Sequence, residues 1–179
     1  LRMKCHLSVI VCVYNEENNI APLVGQLEAA LEGFDYEIVY VDDGSRDGTL
    51  SELKKIANPR LRIVEFRRNY GQSAALAAGI EYAQGEWIVT MDGDLQNDPA
   101  DIPLMLETAR LRNLDLLAGI RQKRQDGMLL RKVPSRIANW LIRQASGVHL
   151  HDYGCTLKIF RADLAKSLGI YGELHRFIP

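Results

Sequence analysis

The sequence predicts an α/β fold: a mostly parallel central sheet, doubly wound, with helices on both faces. Two observations carry that expectation. Five short apolar runs rich in β-branched residues alternate with stretches of helical spacing, and the runs are apolar almost throughout instead of at every second position. Near-continuous apolar strands are covered on both faces, as in parallel sheets, and β–α alternation imposes right-handed crossovers.

In order, "LSVIVCVY" (7–14) is the first predicted strand and 20–31 the first helix. "EIVYV" (37–41) is the second strand, and "DDGSRDGT" leads into a helix over 48–57. Within it, Asp47 ahead of Gly48 and Thr49 is expected to cap that helix. "NPR" (58–60) breaks the helix before the third strand, "LRIVEF" (61–66), and a helix over 72–83 follows. "AQGE" (83–86) separates it from "EWIVTM" (86–91), the fourth strand; Asp98 before Pro99 is expected to cap a helix over 100–112. "LDLLAG" (114–119) is the fifth strand.

The 179 residues fit one domain over 1–179, long enough to bury roughly 70% of its unfolded surface. Hydrophobic residues at 47% and charged residues at 25% exclude a disordered chain, and a net charge of −1 argues against a nucleic-acid partner. The charge is unevenly placed: between Arg121 and Arg143 stand seven Lys or Arg residues against one acid, Asp126. That stretch reads either as a solvated helix face or as an anion site. Cys5, Cys12 and Cys155 form no C-x-x-C pair and read as reduced thiols of a cytoplasmic protein. His149 and His151, near Asp152, lack a third clear ligand for a metal site. No secretory signal and no membrane-length apolar run is present.

In doubly wound sheets, ligands bind beyond the carboxyl ends of the strands. The residues there are Asn15, Glu16 and Glu17 after the first strand, and Asp42, Asp43, Gly44 and Ser45 after the second. Asn69, Tyr70 and Gly71 follow the third, Asp92, Gly93 and Asp94 the fourth, and Arg121 the fifth. In "MDGDLQNDP" the D-x-D carboxylates Asp92 and Asp94 can share one hard cation, Mg²⁺ or Mn²⁺, which favours few carboxylates together with water and phosphate oxygens. Asp42 or Asp43 can accept hydrogen bonds from a nucleobase N–H or a ribose hydroxyl. No G-x-x-x-x-G-K or G-x-G-x-x-G is present, so phosphate handling falls to the metal and to arginines.

"SVIVCVYNEENNI", "VDDGSRDGT", "RRNYGQSAALAAGI", "MDGDLQNDP" and "GIRQKR", in this order, resemble the inverting family 2 glycosyltransferases. The similarity is greatest to the branch that loads sugars onto polyprenyl phosphates. The resemblance implies a glycosyltransferase-A type, Rossmann-like fold, a nucleotide-sugar donor (UDP- or GDP-sugar) and a polyprenyl-phosphate acceptor. It implies Tyr14, Glu16, Gln72, Asp92 and one or both of Asp42 and Asp43 on the donor side, with Mg²⁺ or Mn²⁺ at Asp92 and Asp94 near Gln96. Arg121, Arg131 and Ser135 would approach phosphate groups, and Asp94, Arg121 and Asp152 are the implied catalytic residues. Two departures stand out. Gln72 occupies a position where dolichol-type enzymes commonly carry lysine, and Cys155 stands in "LHDYGCTLKIFR" where several relatives have a second acid. Asp152 is therefore either a base or a positioning group.

Family chains continue beyond a point such as Pro179 toward acceptor-side or membrane segments, which implies a catalytic core at the cytoplasmic face of a membrane. The helix expected around 133–146 reads equally as a bilayer-facing helix or as an amphipathic core helix. A membrane surface and a second copy of the chain are both retained as candidate partners. Four rival functions remain: transfer to a saccharide hydroxyl in cell-envelope polysaccharide synthesis, nucleotidyl transfer, nucleotide binding without catalysis, and a phosphoacceptor domain. The phosphoacceptor reading would require its acidic pair after the first strand and a lysine after the fifth, and the nucleotidyltransferase a Gly-rich basic signature where "YNEENN" stands.

Overall fold

The computed structural model describes residues 6–119 and 157–167. Along the chain run β1 (Leu7–Val13), α1 (Ile20–Ala30), β2 (Tyr36–Asp42), α2 (Thr49–Lys55), β3 (Leu61–Glu65) and α3 (Gln72–Tyr82). They are followed by β4 (Trp87–Asp92), α4 (Asp101–Leu111), β5 (Leu116–Ala118), β6 (Lys158–Arg161) and α5 (Ala162–Ser167). The strands form one sheet in the order β3-β2-β1-β4-β6-β5. β1 pairs in parallel with β2 and β4, and β2 with β3, whereas β6 runs antiparallel between β4 and β5.

All five expected strands are present, but β5 is not beside β4. "KIFR" inserts between them, Thr90 facing Lys158 and Leu117 facing Ile159. Phe160 and Ile159 are buried there, so a four-residue strand is held by tertiary packing more than by its own pattern.

Alternation along β1 divides the core. Val9, Val11 and Val13 join Leu23 and Leu27 of α1, Leu53 of α2 and Ile102 and Leu106 of α4 on one face. Ile10 points the other way, toward Ala75 and Ile80 of α3 and Ala165 of α5. α3 approaches this face closely: a Cβ at Gly79 would run into the Ile10 side chain. Its far end is pinned by a buried network in which Ser8 Oγ and the Gln84 N–H donate to Glu37 Oε1 at 2.6 and 2.7 Å, while Arg62 donates to Glu37 Oε2 at 2.8 Å.

The chain winds outward from β1 through β2 to β3, then returns to β4 on the opposite side of β1. The loops after β1 and β4 therefore part from each other, opening a crevice at the carboxyl ends of these strands.

Candidate functional site

That crevice is a cleft of about 410 Å³ lined chiefly by the strand-end residues Cys12, Tyr14, Glu16, Asp43, Asp92 and Asp94, with Asn69 and Gln72 on its wall. The loops that follow β1 and β2 are zipped together. Asn15 adopts a left-handed backbone (φ 56°), which asparagine tolerates better than most residues. Its N–H donates to Ser45 Oγ at 2.9 Å, and its Oδ1 accepts the Arg46 N–H at 2.8 Å. Next along, the Glu16 N–H donates to Thr49 Oγ1 (2.8 Å) and the Gly48 N–H to Glu17 Oε2 (2.7 Å).

Asp47 lies one residue ahead of the cap position of α2, which is Gly48, so the cap expected at Asp47 is displaced by one. Its Oδ1 takes both the N–H and the hydroxyl of Thr49, and its Oδ2 takes the Glu17 N–H. Partial desolvation alone would raise its pKa, but these hydrogen bonds outweigh it and hold the carboxyl below the usual range. Asp98 is similarly displaced: it accepts the Ala100 N–H at 2.9 Å, and α4 starts only at Asp101 with Ala100 as cap.

The two acids at the end of β2 separate. Asp42 is buried, with Oδ1 accepting the N–H and hydroxyl of Ser45, and its carboxylate stays within its own turn. Asp43 reaches across to the loop after β3, where Oδ1 takes the Tyr70 N–H (2.7 Å) and Oδ2 the Gly71 N–H (2.9 Å). The turn that follows them needs Gly44: φ is 71°, and a side chain would strike the Arg68 backbone.

Asp92 ends β4 opposite Cys12 of β1. Gln72, the first residue of α3, donates Nε2 to Asp92 Oδ1 at 2.7 Å. Gly93 sits against Val13 with no room for a Cβ, so the chain can turn tightly enough to bring Asp94 back to the cleft. Leu95 follows with φ 61°, and the Gln96 N–H donates to Asp94 Oδ1 at 3.1 Å. The Cys12 thiol is pushed well above its ordinary pKa, first by burial and then by the charges of Asp92 and Asp43, so it is protonated at neutral pH.

Of the residues singled out from sequence, Tyr14, Glu16, Asp43, Gln72, Asp92 and Asp94 share this cleft. Asp42 and Gln96 are not among its lining residues. Arg121, Arg131, Ser135 and Asp152 lie outside the described residues. Cys12 was not anticipated as a lining residue, although strand alternation from Ile10 places it on the α3 face. Among the described residues, no group of three His, Cys, Asp or Glu side chains is placed to hold a metal ion. A cation here would rely on Asp92 and Asp94, taking its remaining ligands from water and from a bound anion. Two hard oxygen donors at an open cleft suit Mg²⁺ or Mn²⁺ in this respect.

The family model for glycosyl transferase family 2 matches residues 8–169, spanning the sheet and the cleft. The chain belongs to glycosyl transferase family 2. This family 2 domain is 52% identical over 178 residues to dodecaprenyl-phosphate galacturonate synthase of Rhizobium johnstonii, covering 97% of this chain and 53% of that protein. It is 42% identical over 179 residues to an undecaprenyl-phosphate 4-deoxy-4-formamido-L-arabinose transferase of Pseudomonas aeruginosa, covering 97% of this chain and 52% of that one. The chain thus spans about half the length of the curated relatives it matches. Among solved structures, the mannosyltransferase PcManGT of Pyrobaculum calidifontis, in complex with GDP-Man and Mn²⁺, superposes with a TM-score of 0.69 at 22% identity, covering 96% of this chain and 48% of that one. The family 2 domain therefore has the glycosyltransferase-A type fold. Among its described residues no helix is long and apolar enough to cross a membrane.

Proposed function

We propose that the chain catalyses inverting transfer of a sugar from a UDP- or GDP-sugar to a polyprenyl phosphate, using Mg²⁺ or Mn²⁺. The observation that carries the reading is the pair Asp92 and Asp94 at the switch-point cleft, whose lining they share with Asp43, Tyr14 and Glu16. The acceptor class rests on the relatives named above, both of which carry a polyprenyl phosphate in their names.

Tyr14, Glu16 and Asp43 would receive the nucleoside, Asp43 being held for this by the Tyr70 and Gly71 amides. Asp92 and Asp94 would hold the cation, which supplies positive charge to the departing diphosphate. An acceptor phosphate oxygen attacks the anomeric carbon from the side opposite the leaving group. The new carbon–oxygen bond forms as the bond to the nucleotide diphosphate breaks, and the diphosphate departs with the electron pair. One such displacement inverts the anomeric centre. Arg121, Arg131 and Ser135 are proposed as partners of the phosphate groups, since the arginine fork matches phosphate geometry.

A lipid phosphate has its second pKa at about 6 and is largely ionised at pH 7, so the nucleophile needs no base. Asp152 is accordingly proposed to position the acceptor. A soluble donor and a lipid acceptor meet at a membrane surface, which puts the reaction at its cytoplasmic face.

The test is transfer of radiolabelled sugar from UDP- and GDP-sugars to polyprenyl phosphate in detergent with Mn²⁺ or Mg²⁺. Label entering the organic phase, and lost when metal is chelated, is the expected result. Absence of transfer from every donor overturns the reading.

A further inference from the structure

α4 carries apolar side chains on two opposite faces. Ile102, Leu106 and Ala109 are buried in the core, whereas Leu104 is 66% and Leu111 79% exposed. At about 100° per residue the two exposed leucines, seven positions apart, share one stripe pointing away from the core. They line a groove of about 480 Å³ together with Phe34 and Pro103. None of the residues lining this groove lines the strand-end cleft. A single exposed leucine is ordinary on a surface, but two on one stripe beside an apolar groove mark a contact.

The pattern along the stripe says which partner fits. Ala100, Leu104, Glu107 and Leu111 succeed one another at spacings of four, three and four, the seam of paired helices. Glu107 and Arg110, both exposed, also line the groove. Their spacing allows an ion pair along the helix, yet among the described residues neither forms one, and Arg110 Nη2 instead lies 3.3 Å from His6 Nδ1. In an antiparallel pair of α4 helices centred between Glu107 and Thr108, Leu104 of one copy meets Leu111 of the other. Glu107 then falls within about 3 Å, measured along the axis, of the other copy's Arg110. The surface is therefore complementary to itself, as a two-fold interface requires, with each acid meeting a base. A lipid surface would instead have to take Glu107 between the two leucines with no base to meet it.

We propose that this face of α4 is where two copies of the chain associate, helix against helix and antiparallel. One helix face is small for an interface, so the dimer is reversible and its population rises with concentration. Pairing through it uses none of the residues that line the strand-end cleft.

The experiment is sedimentation velocity over a range of protein concentrations, with a melting curve for each protein. It compares the wild type, Leu111→Ser, Glu107→Arg, Arg110→Glu and the double variant Glu107→Arg/Arg110→Glu. The replaced side chains are exposed, so every variant is expected to melt close to the wild type. The wild type should pass from the mass of one chain to that of two as concentration rises. Leu111→Ser removes two leucines from each dimer and should weaken association at least about 100-fold. Either charge reversal alone sets like charges together twice and should weaken it about tenfold, and the double variant should regain the wild-type affinity. A wild type with the mass of one chain at every concentration overturns the proposal, as does a Leu111→Ser variant that associates like the wild type. A double variant no stronger than the single ones overturns the antiparallel pairing. Pelleting of a monomeric wild type with phosphatidylglycerol vesicles, lost in Leu111→Ser, would assign the face to a lipid surface and overturn the dimer.

Discussion

Replacing Asp43 with asparagine changes one oxygen to an amide nitrogen and removes the charge. In the wild type both oxygens accept backbone N–H groups, at 2.7 and 2.9 Å, and the residue is 4% exposed. With asparagine, one of the two amides of Tyr70 and Gly71 must face an –NH₂ group, and the other bond becomes a neutral one. Hydrogen bonds to charged groups contribute about 1.5–3 kcal/mol, and a buried donor left unsatisfied costs about 1–3 kcal/mol, so the change should destabilise by roughly 2–4 kcal/mol. For a chain of this size each kcal/mol lowers Tm by about 2–4 °C, giving a fall of roughly 4–16 °C. The assay is thermal melting by circular dichroism, with Asp94→Asn as comparison. Asp94 accepts the Gln96 N–H on a more open turn, at 3.1 Å, and its replacement should move Tm by no more than about 2 °C. If Asp43→Asn melted within about 2 °C of the wild type, the clamp on the loop after β3 would be refuted.

Asp47 has its pKa lowered by bonds from Thr49 and Glu17, so its stabilisation is complete above the unfolded carboxyl value and is lost as pH falls through the lower folded value. Asp47→Asn should therefore be less stable than wild type at pH 7, with the gap closing in acid; a gap independent of pH in paired melting curves would contradict this. Cys12, whose thiol pKa is raised, should react slowly with iodoacetamide in native protein at pH 7.5 and readily in urea, as read by peptide mass mapping. Equal rates in both conditions would contradict the half-buried, acid-flanked placement. With a polyprenyl-phosphate acceptor, Asp152→Asn should retain far more transfer activity than Asp94→Asn; equal, near-complete losses would instead make Asp152 a base.

The strand–helix alternation is legible because each element carries its own apolar pattern; the runs in "LSVIVCVY" and "EWIVTM" need no partner to be recognised. β6 was not legible. "KIFR" is four residues long, and its place between β4 and β5 depends on pairing with Trp87–Thr90, some seventy residues earlier. The caps slipped for a related reason. Asp47 and Asp98 do bond to helix-start amides, but the loop contacts of Glu17 and the turn at Pro99 set where each helix begins. Sequence left Asp42 and Asp43 equivalent, since adjacent acids after a strand look alike. Burial and the Ser45 turn separate them. The Gln72–Asp92 contact joins residues twenty positions apart through the geometry of α3 on the sheet, and no local pattern encodes it.

The central claim is that the Asp92–Asp94 pair binds the cation of a nucleotide sugar. Thermal melting with UDP-, GDP- and dTDP-sugars, with and without Mn²⁺, tests it most directly in wild type and Asp94→Asn. A ligand at 100 times its Kd stabilises by about 2.7 kcal/mol, which raises Tm by roughly 5–11 °C. The account predicts such a shift for at least one nucleotide sugar, dependent on Mn²⁺ and lost in Asp94→Asn. A shift that needs no metal, persists in Asp94→Asn, or is absent with every nucleotide would contradict it.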